Sequence, residues 1–252
     1  MEIHGLTCSV GYAPTLAHGI ARWRDGLDSL AVVTDLRDEP TVALAARHGA
    51  RVHRTDVFYD RGDFRKAAAM EEARVALVPR SGWLLLFDAD VIPPEDWRAV
   101  VEAHARHGSM HGATRHQYGG PPLPLRIENT EDIPANCAVN LGPLQAELLD
   151  AARWPEIKTD GRRAMGYFQL FAQDDPRAFA PVLDGRWRHA GVYDSVLCDR
   201  WPAALHFRLP LRLCHVGPRD NWGGLVRGPG YVRDLMAERK KYGGTWEHEA
   251  VS

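Results

Sequence analysis

The chain has 252 residues, of which 25% are charged, and its formal net charge is −2 at pH 7. This length suits one large α/β domain or two small ones, and a net charge near zero points to neither nucleic acid nor a membrane surface. The four cysteines form no C-x-x-C pair, and the apolar runs are far too short to span a bilayer. Because no signal peptide is visible, we expect a cytoplasmic protein with reduced thiols.

Strand and helix patterns alternate over the first half of the chain. Strands are predicted at residues 3–10, 30–34, 51–54 and 83–87, and helices at residues 14–25, 41–48, 64–78 and 94–107. Pro14 lies near the start of the first helix and Gly49 follows the second, as is typical of helix ends. Such alternation with short links predicts an α/β fold with a mostly parallel, Rossmann-like central sheet and helices on both faces.

The second half has a less regular pattern. Residues 119–124 are rich in Gly and Pro and predict a loop, while residues 143–153 and 193–200 favour helices. Residues 165–171 are aromatic and resemble a strand. The residues after His215 are again rich in Gly and Pro, so we expect a mobile flap or a partly disordered tail there.

Residues 83–94 carry the most informative pattern. Five apolar residues lead into Asp88 and Asp90, and a Pro-Pro pair follows. An unbroken apolar run is typical of a strand buried on both faces, so the two carboxylates should lie where that strand ends. Ligands of open α/β sheets bind at this carboxyl edge, and two carboxylates there suit Mg²⁺ or Mn²⁺ carrying a diphosphate. An Asp-rich turn before a helix is the simpler alternative.

Five segments in order over residues 3–222 resemble the GT-A class of nucleotide-sugar glycosyltransferases and are similar to its family 2. They are the first strand with a second strand ending in Asp35, F-R-K-A-A-A-M at 64–70, D-A-D at 88–90, Y-D-S-V-L-C-D-R at 193–200, and H-V-G-P-R-D-N-W at 215–222. The chain departs from the family at Arg65, where Asn is usual, and at Tyr193, where Glu is usual.

The resemblance implies a GT-A, or nucleotide-diphospho-sugar transferase, fold in which different parts of the chain bind the donor and the acceptor. Residues 1–115 would form the half that binds the nucleotide sugar and the metal. Residues 116–215 would form the acceptor-binding half of the same domain, and residues 216–252 a Gly/Pro-rich C-terminal flap or tail.

The resemblance also implies site residues for the donor and the metal. Asp90 would ligate Mn²⁺ or Mg²⁺ directly, Asp88 would do so directly, through water or by binding the ribose, and His215 would add an imidazole. Asp35 would accept a hydrogen bond from a pyrimidine N–H, which selects uracil and makes UDP the expected carrier. The residues predicted to contact the donor are Ser9, Tyr12, Asp35, Arg65, Lys66 and Asp88, with Lys66 and Arg65 neutralising the diphosphate.

An inverting displacement needs a base that takes the proton of the acceptor hydroxyl, and Asp194 is the predicted base. The alternative role for Asp194 is that of an acidic residue in the first turn of a helix. In a retaining enzyme, the alternative mechanism, it would bind acceptor or sugar. The residues predicted to contact the acceptor are Gly166, Tyr167, Arg200 and Trp222, and Arg200 could also orient the Asp194 helix.

We therefore expect a metal-dependent glycosyltransferase of the hexosyltransferase type, with an inverting mechanism favoured. The sequence leaves the acceptor open among a glycan, a small molecule, a lipid-linked sugar, a protein and a modified DNA base. Two other classes remain open. One is a sugar nucleotidyltransferase, although the loop from Ser9 to Pro14 lacks the glycines and cation usual there. The other is a catalytically silent nucleotide-binding module, which Tyr193 in place of an acid would suit.

Overall fold

The structure, a computed structural model, describes residues 1–58, 65–117, 164, 167–179, 194 and 197–215. The predicted helix at 143–153, the predicted loop at 119–124 and the tail at 216–252 lie outside these residues. The strands are β1 (Ile3–Cys8), β2 (Ser29–Asp35), β3 (Arg51–Thr55), β4 (Trp83–Asp88), β5 (Val91–Ile92), β6 (Met110–Gln117), β7 (Gln169–Ala172) and β8 (His206–His215). The α-helices are α1 (Ala13–Gly26), α2 (Glu39–Arg47), α3 (Lys66–Leu77) and α4 (Trp97–His104), and short 3₁₀ helices span Pro176–Phe179 and Ala203–Leu205.

The eight strands form one mixed sheet in the order β3-β2-β1-β4-β7-β6-β8-β5. The first four strands in this order are parallel, and β6 also runs parallel to β8. The pairs β4–β7, β7–β6 and β8–β5 are antiparallel. The predicted α/β fold with a mostly parallel sheet and flanking helices is therefore confirmed.

Strand β4 is buried on both faces, which explains why its sequence has no polar break. Leu85 packs in a cluster with Trp23 of α1, while its neighbour Leu84 packs in a second cluster with Met70 of α3. Successive side chains of a strand point to opposite faces, so a strand covered on both sides must be apolar at every position. The run ends at Asp88, as predicted, because a carboxylate is tolerated where the strand reaches the edge of the sheet.

Two of the helices are shorter than predicted. Helix α3 begins at Lys66 rather than at residue 64, which lies outside the described residues, and α4 spans Trp97–His104 rather than 94–107. Ala105 already has extended backbone angles, so the periodic pattern continues past the actual end of α4. No helix in the described part of the chain is long and apolar enough to cross a membrane.

The strands β5, β6 and β8 were not predicted from the sequence, and β8 shows the reason. Leu209, Leu211 and Leu213 alternate with polar residues and are buried, which is a strand pattern, but Pro210 interrupts it. Proline has no N–H to donate to a neighbouring strand and is confined to edges and irregular positions. The register between β6 and β8 shifts between Gly112 and Thr114, which skips the part of β8 that contains Pro210.

Helix α1 packs very closely on β5, the strand that follows the D-A-D turn. A Cβ added at Gly19 would lie 2.7 Å from the carbonyl oxygen of Val91, so a residue with a side chain would displace the helix. The indole Nε1 of Trp23 donates to the same carbonyl oxygen at 3.0 Å, and its ring stacks on Phe87 with centroids 4.4 Å apart. These contacts hold the end of β4 and the turn after it against α1.

Candidate functional site

Three parallel strands end at the same edge of the sheet and carry polar or reactive residues there. Cys8, Asp35 and Asp88 are the last residues of β1, β2 and β4, and Cys8 lies directly opposite Asp88 in the register. The carboxyl edge of parallel strands is where open α/β sheets bind ligands. The predicted donor residues on these strands are therefore neighbours in the fold.

The first pair at this edge joins Asp88 to Lys66. The Nζ of Lys66, at the start of α3, donates to Oδ1 of Asp88 at 2.9 Å, and the two side chains are 13% and 28% exposed. Burial alone would lower the pKa of Lys66, but the carboxylates of Asp88 and Asp194 raise it well above its ordinary value. Lys66 is therefore a fixed positive charge beside the strand edge.

Asp194 belongs to the same group of charges, although it lies more than a hundred residues further along the chain. Its pKa is raised to about 7, because burial raises it strongly, the Lys66 ammonium partly offsets this, and the Asp88 carboxylate adds a smaller rise. A carboxyl group with this pKa can take or release a proton near neutral pH. The structure thus brings the predicted base next to the predicted diphosphate-binding lysine.

The second pair joins Asp90 to His215. The antiparallel pairing of β5 with β8 puts Val91 opposite His215, which brings the histidine beside the D-A-D turn. The Nε2 of His215 lies 3.1 Å from Oδ2 of Asp90, and these side chains are 5% and 12% exposed. Two potential ligands with different donor atoms, an oxygen and an imidazole nitrogen, therefore meet in a buried position.

The chemistry of this second pair fits a divalent ion that also binds a substrate. Among the described residues, no group of three or more His, Cys, Asp or Glu side chains is arranged to hold a metal. The structure joins two of the three predicted ligands, Asp90 and His215, and pairs the third, Asp88, with Lys66. Mg²⁺ commonly takes one or two protein carboxylates and completes its shell with water and substrate phosphates, so a small protein ligand set is sufficient.

The predicted pyrimidine contact, Asp35, is buried and already hydrogen-bonded. Its Oδ1 accepts from the backbone N–H and the Nε of Arg37 at 2.9 and 3.0 Å, and the Arg37 side chain is 78% exposed. A base N–H would have to approach this carboxylate beside the guanidinium. Arg37 was not predicted from the sequence, although an Asp whose side chain accepts from the backbone N–H two residues further on is a common turn arrangement.

Asp38 is a second residue that the sequence analysis missed. Its carboxylate caps α2 by accepting from the N–H of Thr41, and it also accepts from the hydroxyls of Thr34 and Thr41. A further bond, 2.6 Å long, comes from the N–H of Gly11 in the loop after β1. Asp38 therefore ties together two loops at the carboxyl edge. An Asp before Glu-Pro-Thr is a typical helix start and could have signalled it.

The other predicted donor residues lie around the same loops. Ser9 is fully buried, with its hydroxyl 3.3 Å from that of Thr41, so it supports the loop. Tyr12 is half-buried and immediately precedes α1. Arg65 immediately precedes α3, and its N–H donates to the carbonyl oxygen of Phe58 at 2.8 Å.

Two of the predicted acceptor residues are described, and both make contacts within the protein. The Tyr167 hydroxyl donates to the carbonyl oxygen of Ala113 at 3.0 Å. Nη1 of Arg200 donates to the carbonyl oxygen of Arg177 at 3.1 Å, in the 3₁₀ helix after β7. Gly166 and Trp222 lie outside the described residues.

Comparisons with known proteins agree with the fold. No model of a protein family matches the sequence, and no curated protein is significantly similar to it. The structure resembles that of glucosyl-3-phosphoglycerate synthase from Mycobacterium tuberculosis in complex with Mn²⁺, UDP-glucose and phosphoglyceric acid. The TM-score is 0.51 at 15% identity, with 98% of this chain and 81% of that chain covered.

A second similar structure is mannosyl-3-phosphoglycerate synthase from Rubrobacter xylanophilus, with a TM-score of 0.49, 16% identity, and coverage of 100% of this chain and 79% of that chain. The match to the M. tuberculosis structure shows the architecture of the GT-A glycosyltransferases. The chain therefore has a GT-A fold, as its sequence motifs predicted.

Proposed function

We propose that this protein is a metal-dependent glycosyltransferase that moves a sugar from a nucleoside diphosphate, with UDP the expected carrier, to a hydroxyl group. The observation that carries the proposal is the group of Lys66, Asp88 and Asp194 at the carboxyl edge of a GT-A sheet. It combines a cation for a leaving group with a carboxyl group that titrates near neutral pH.

Lys66 has the properties needed to stabilise a departing diphosphate. Its ammonium is held by Asp88 and is largely removed from solvent, so it need not be oriented again when negative charge develops. Fixed charges of this kind, aimed at the charge of the transition state, are usually the largest single contribution to catalysis. The nearby carboxylates keep Lys66 protonated over the physiological pH range.

Asp90 and His215 are the residues that would hold the divalent ion, since their oxygen and nitrogen atoms already meet at 3.1 Å. The ion, when bound, would supply further positive charge to the diphosphate. A mixed carboxylate and imidazole set is compatible with Mn²⁺ as well as Mg²⁺. Asp88 would then act mainly as the partner that orients Lys66.

Asp194 is the proposed base for an inverting transfer. A general base works best when its pKa lies near the working pH, and burial raises the pKa of Asp194 to about 7. Its charge is balanced by Lys66, which also faces Asp88. In an inverting transfer the acceptor hydroxyl attacks the anomeric carbon from the face opposite the diphosphate. Asp194 would take the hydroxyl proton as the new bond forms and the bond to the diphosphate breaks.

Thermal unfolding tests the donor part of the proposal directly. The midpoint is measured with UDP, GDP, CDP, TDP and UTP, each with and without Mn²⁺, because a ligand that binds the folded form raises it by mass action. UDP and Mn²⁺ are the first pair to try, since the M. tuberculosis structure holds UDP-glucose and Mn²⁺. We expect a metal-dependent rise with UDP.

The control and the contrary outcomes are equally defined. Asp174→Asn changes an exposed carboxylate that lies 3.7 Å from the Nδ1 of His107, so this variant should respond to ligands like the wild type. A rise with UTP alone would favour a nucleotidyltransferase. The absence of any rise across the panel would reject the donor site. A rise with UDP but no turnover with any acceptor or water would indicate a silent binding module.

A further inference from the structure

A buried glutamine connects the sheet to the segment that carries Asp194. Gln169 lies in β7 with no exposed surface, in a stretch that is otherwise apolar. Its Nε2 lies 2.9 Å from the backbone carbonyl oxygen of Asp194 and 3.1 Å from that of Ala164. Both neighbours accept hydrogen bonds, so the amide must present its nitrogen to them.

Cys198 also contacts Gln169 and Ala164. Its Sγ lies 3.1 Å from Nε2 of Gln169 and 2.7 Å from the carbonyl oxygen of Ala164, to which the thiol donates. Burial raises the pKa of Cys198 to about 12, so the thiol remains protonated and able to donate. Asp194 and Cys198 are therefore both attached to Gln169 of β7.

The position of Gln169 in the sheet makes the contact relevant to the site. Gln169 lies opposite Leu86 in the antiparallel register of β4 and β7, two residues before Asp88. Gln169 thus connects β7, the strand that pairs with β4, to the backbone of Asp194. Because Lys66 approaches Asp88 from α3, the distance between Asp194 and Lys66 depends on how the Asp194 segment is held to the sheet.

We propose that Gln169 is a positioning residue: through the hydrogen bond to the Asp194 carbonyl oxygen, it holds the Asp194 carboxyl group beside Lys66. An effect of Gln169 on catalysis rests on the proposed function. Its effect on the position of Asp194 does not, because the bond connects two parts of the chain whether or not a sugar is transferred. Misplacement of a reacting group by about 1 Å can cost on the order of a hundredfold in rate.

Gln173, four residues further along, is a matched control. It is also buried, and its Nε2 also donates to two backbone carbonyl oxygens, those of Pro79 at 2.6 Å and Ser81 at 2.9 Å. These carbonyl groups belong to the loop that leads into β4, at the opposite edge of the sheet from Asp88. A loss of buried hydrogen bonds at Gln173 should therefore destabilise the protein without moving Asp194.

The test compares Gln169→Met with Gln173→Met in the full chain. Hydrogen exchange is measured by mass spectrometry over residues 194–201 and 79–83, together with turnover of the donor and the affinity for UDP with Mn²⁺. We expect Gln169→Met to speed exchange in residues 194–201, to lower kcat at least about tenfold, and to leave UDP affinity within about twofold. Gln173→Met should speed exchange in residues 79–83 and keep the wild-type kcat.

Two further variants separate the effect of side-chain shape at position 169 from that of hydrogen bonding. They also keep the test possible if Gln169→Met does not fold. Gln169→Glu keeps the shape but offers only acceptors to the carbonyl groups when ionised, so it should be at least as impaired as Gln169→Met. Gln169→Asn keeps a buried amide that is one methylene too short to reach Asp194, and it replaces Gln169→Met if that variant does not fold. Normal kcat in both Glu and Asn variants would overturn the proposal.

The exchange data keep this inference separate from the proposed function. If the wild type transfers no sugar, the transferase proposal fails, while faster exchange confined to residues 194–201 in Gln169→Met still supports the positioning role. Unchanged exchange in that segment, or the same change in Gln173→Met, overturns the positioning role whatever the activity.

Discussion

Asp88 and Asp90 are separated by one residue, yet they face different parts of the protein. Asp88 ends β4 and binds the ammonium of Lys66, while Asp90 lies in the turn beyond and contacts the imidazole of His215. An ammonium has no lone pair for a metal, so the first carboxylate is compensated by a permanent charge. A neutral imidazole is itself a metal ligand, so the second carboxylate and its partner can bind an ion together.

The two carboxylates of this motif therefore need not act alike. We infer that the Asp88 side supplies charge for the leaving group and the Asp90 side holds the metal. Asp194 belongs to the Asp88 side because it interacts with both Lys66 and Asp88. Substitutions of Asp88 and Asp90 should therefore have different effects.

The largest effect is expected from Asp90→Asn. We predict that the variant loses the metal-dependent part of UDP binding, because the amide is a much weaker ligand than the carboxylate. Thermal unfolding with UDP, with and without Mn²⁺, measures this directly. Asp88→Asn should retain a metal-dependent shift, although the loss of one of the two carboxylates beside Lys66 should make the variant less stable.

The opposite result would reverse the assignment of the two carboxylates. A metal-dependent shift that survives in Asp90→Asn and disappears in Asp88→Asn would make Asp88 the principal ligand. Asp174→Asn serves as the control for the loss of a carboxylate as such, since this side chain is exposed.

The next effect in size concerns Asp194→Asn. We expect a loss of turnover on the order of a hundredfold or more with nearly unchanged donor affinity, because the variant keeps the shape but cannot accept the proton. Initial rates at saturating donor and a UDP titration give the two quantities. A nearly normal rate would remove Asp194 from the chemistry and favour a role in binding acceptor or sugar.

A smaller effect is expected from His215→Ala. The metal concentration needed for half-maximal binding of UDP should rise by roughly tenfold or more, because one ligand is lost while Asp90 remains. His107→Ala is the matched control, since His107 also pairs with an aspartate but both side chains are more than 70% exposed. If the metal titrations of wild type and His215→Ala coincide, the histidine is a structural partner of Asp90.

The stability of the metal-free protein should depend on pH through Asp194. The pKa of Asp194 is about 7 in the folded protein, and that of an unfolded aspartate is about 3.9. Between these values the folded chain retains a proton that the unfolded chain has released. The stability contributed by Asp194 is therefore complete below about pH 4 and is lost as the pH rises through 7.

Denaturant unfolding of wild type and Asp194→Asn between pH 4 and 8 measures this difference. We expect the wild type to lose stability relative to the variant as the pH rises toward 7, after which the two curves should run parallel. Parallel curves over the whole range would show that Asp194 is not held in an environment that favours its protonated form.

Much of the first half of the fold could be predicted because its signals are local. The apolar run before Asp88 specifies a strand that is buried on both faces, and the predicted end of β4 is confirmed. The strands β5, β6 and β8 could not be recognised in the same way. β5 has two residues, and β8 contains Pro210 at an irregular position in its pairing.

The residues of the candidate site were named from the sequence, but the contacts between their side chains were not. Lys66, Asp88, Asp90, Asp194 and His215 were identified from motifs, and the structure brings them to one edge of the sheet. Which carboxylate meets which partner could not be read, because Asp90 and His215 are 125 positions apart. The role of Gln169 was also hidden, since a lone amide in an apolar strand shows that partners must exist but not which ones.

Three features can be read from the sequence: the α/β alternation, the strand that ends in the two carboxylates, and the types of residue available for chemistry. These features follow from side-chain periodicity and from the cost of burying charge, which act over a few neighbouring residues. Only the folded chain shows that Asp88 binds Lys66, that Asp90 contacts His215 and that Gln169 donates to the carbonyl oxygen of Asp194. Each of these contacts joins distant segments, so it depends on the pairing of strands and the packing of helices rather than on local sequence.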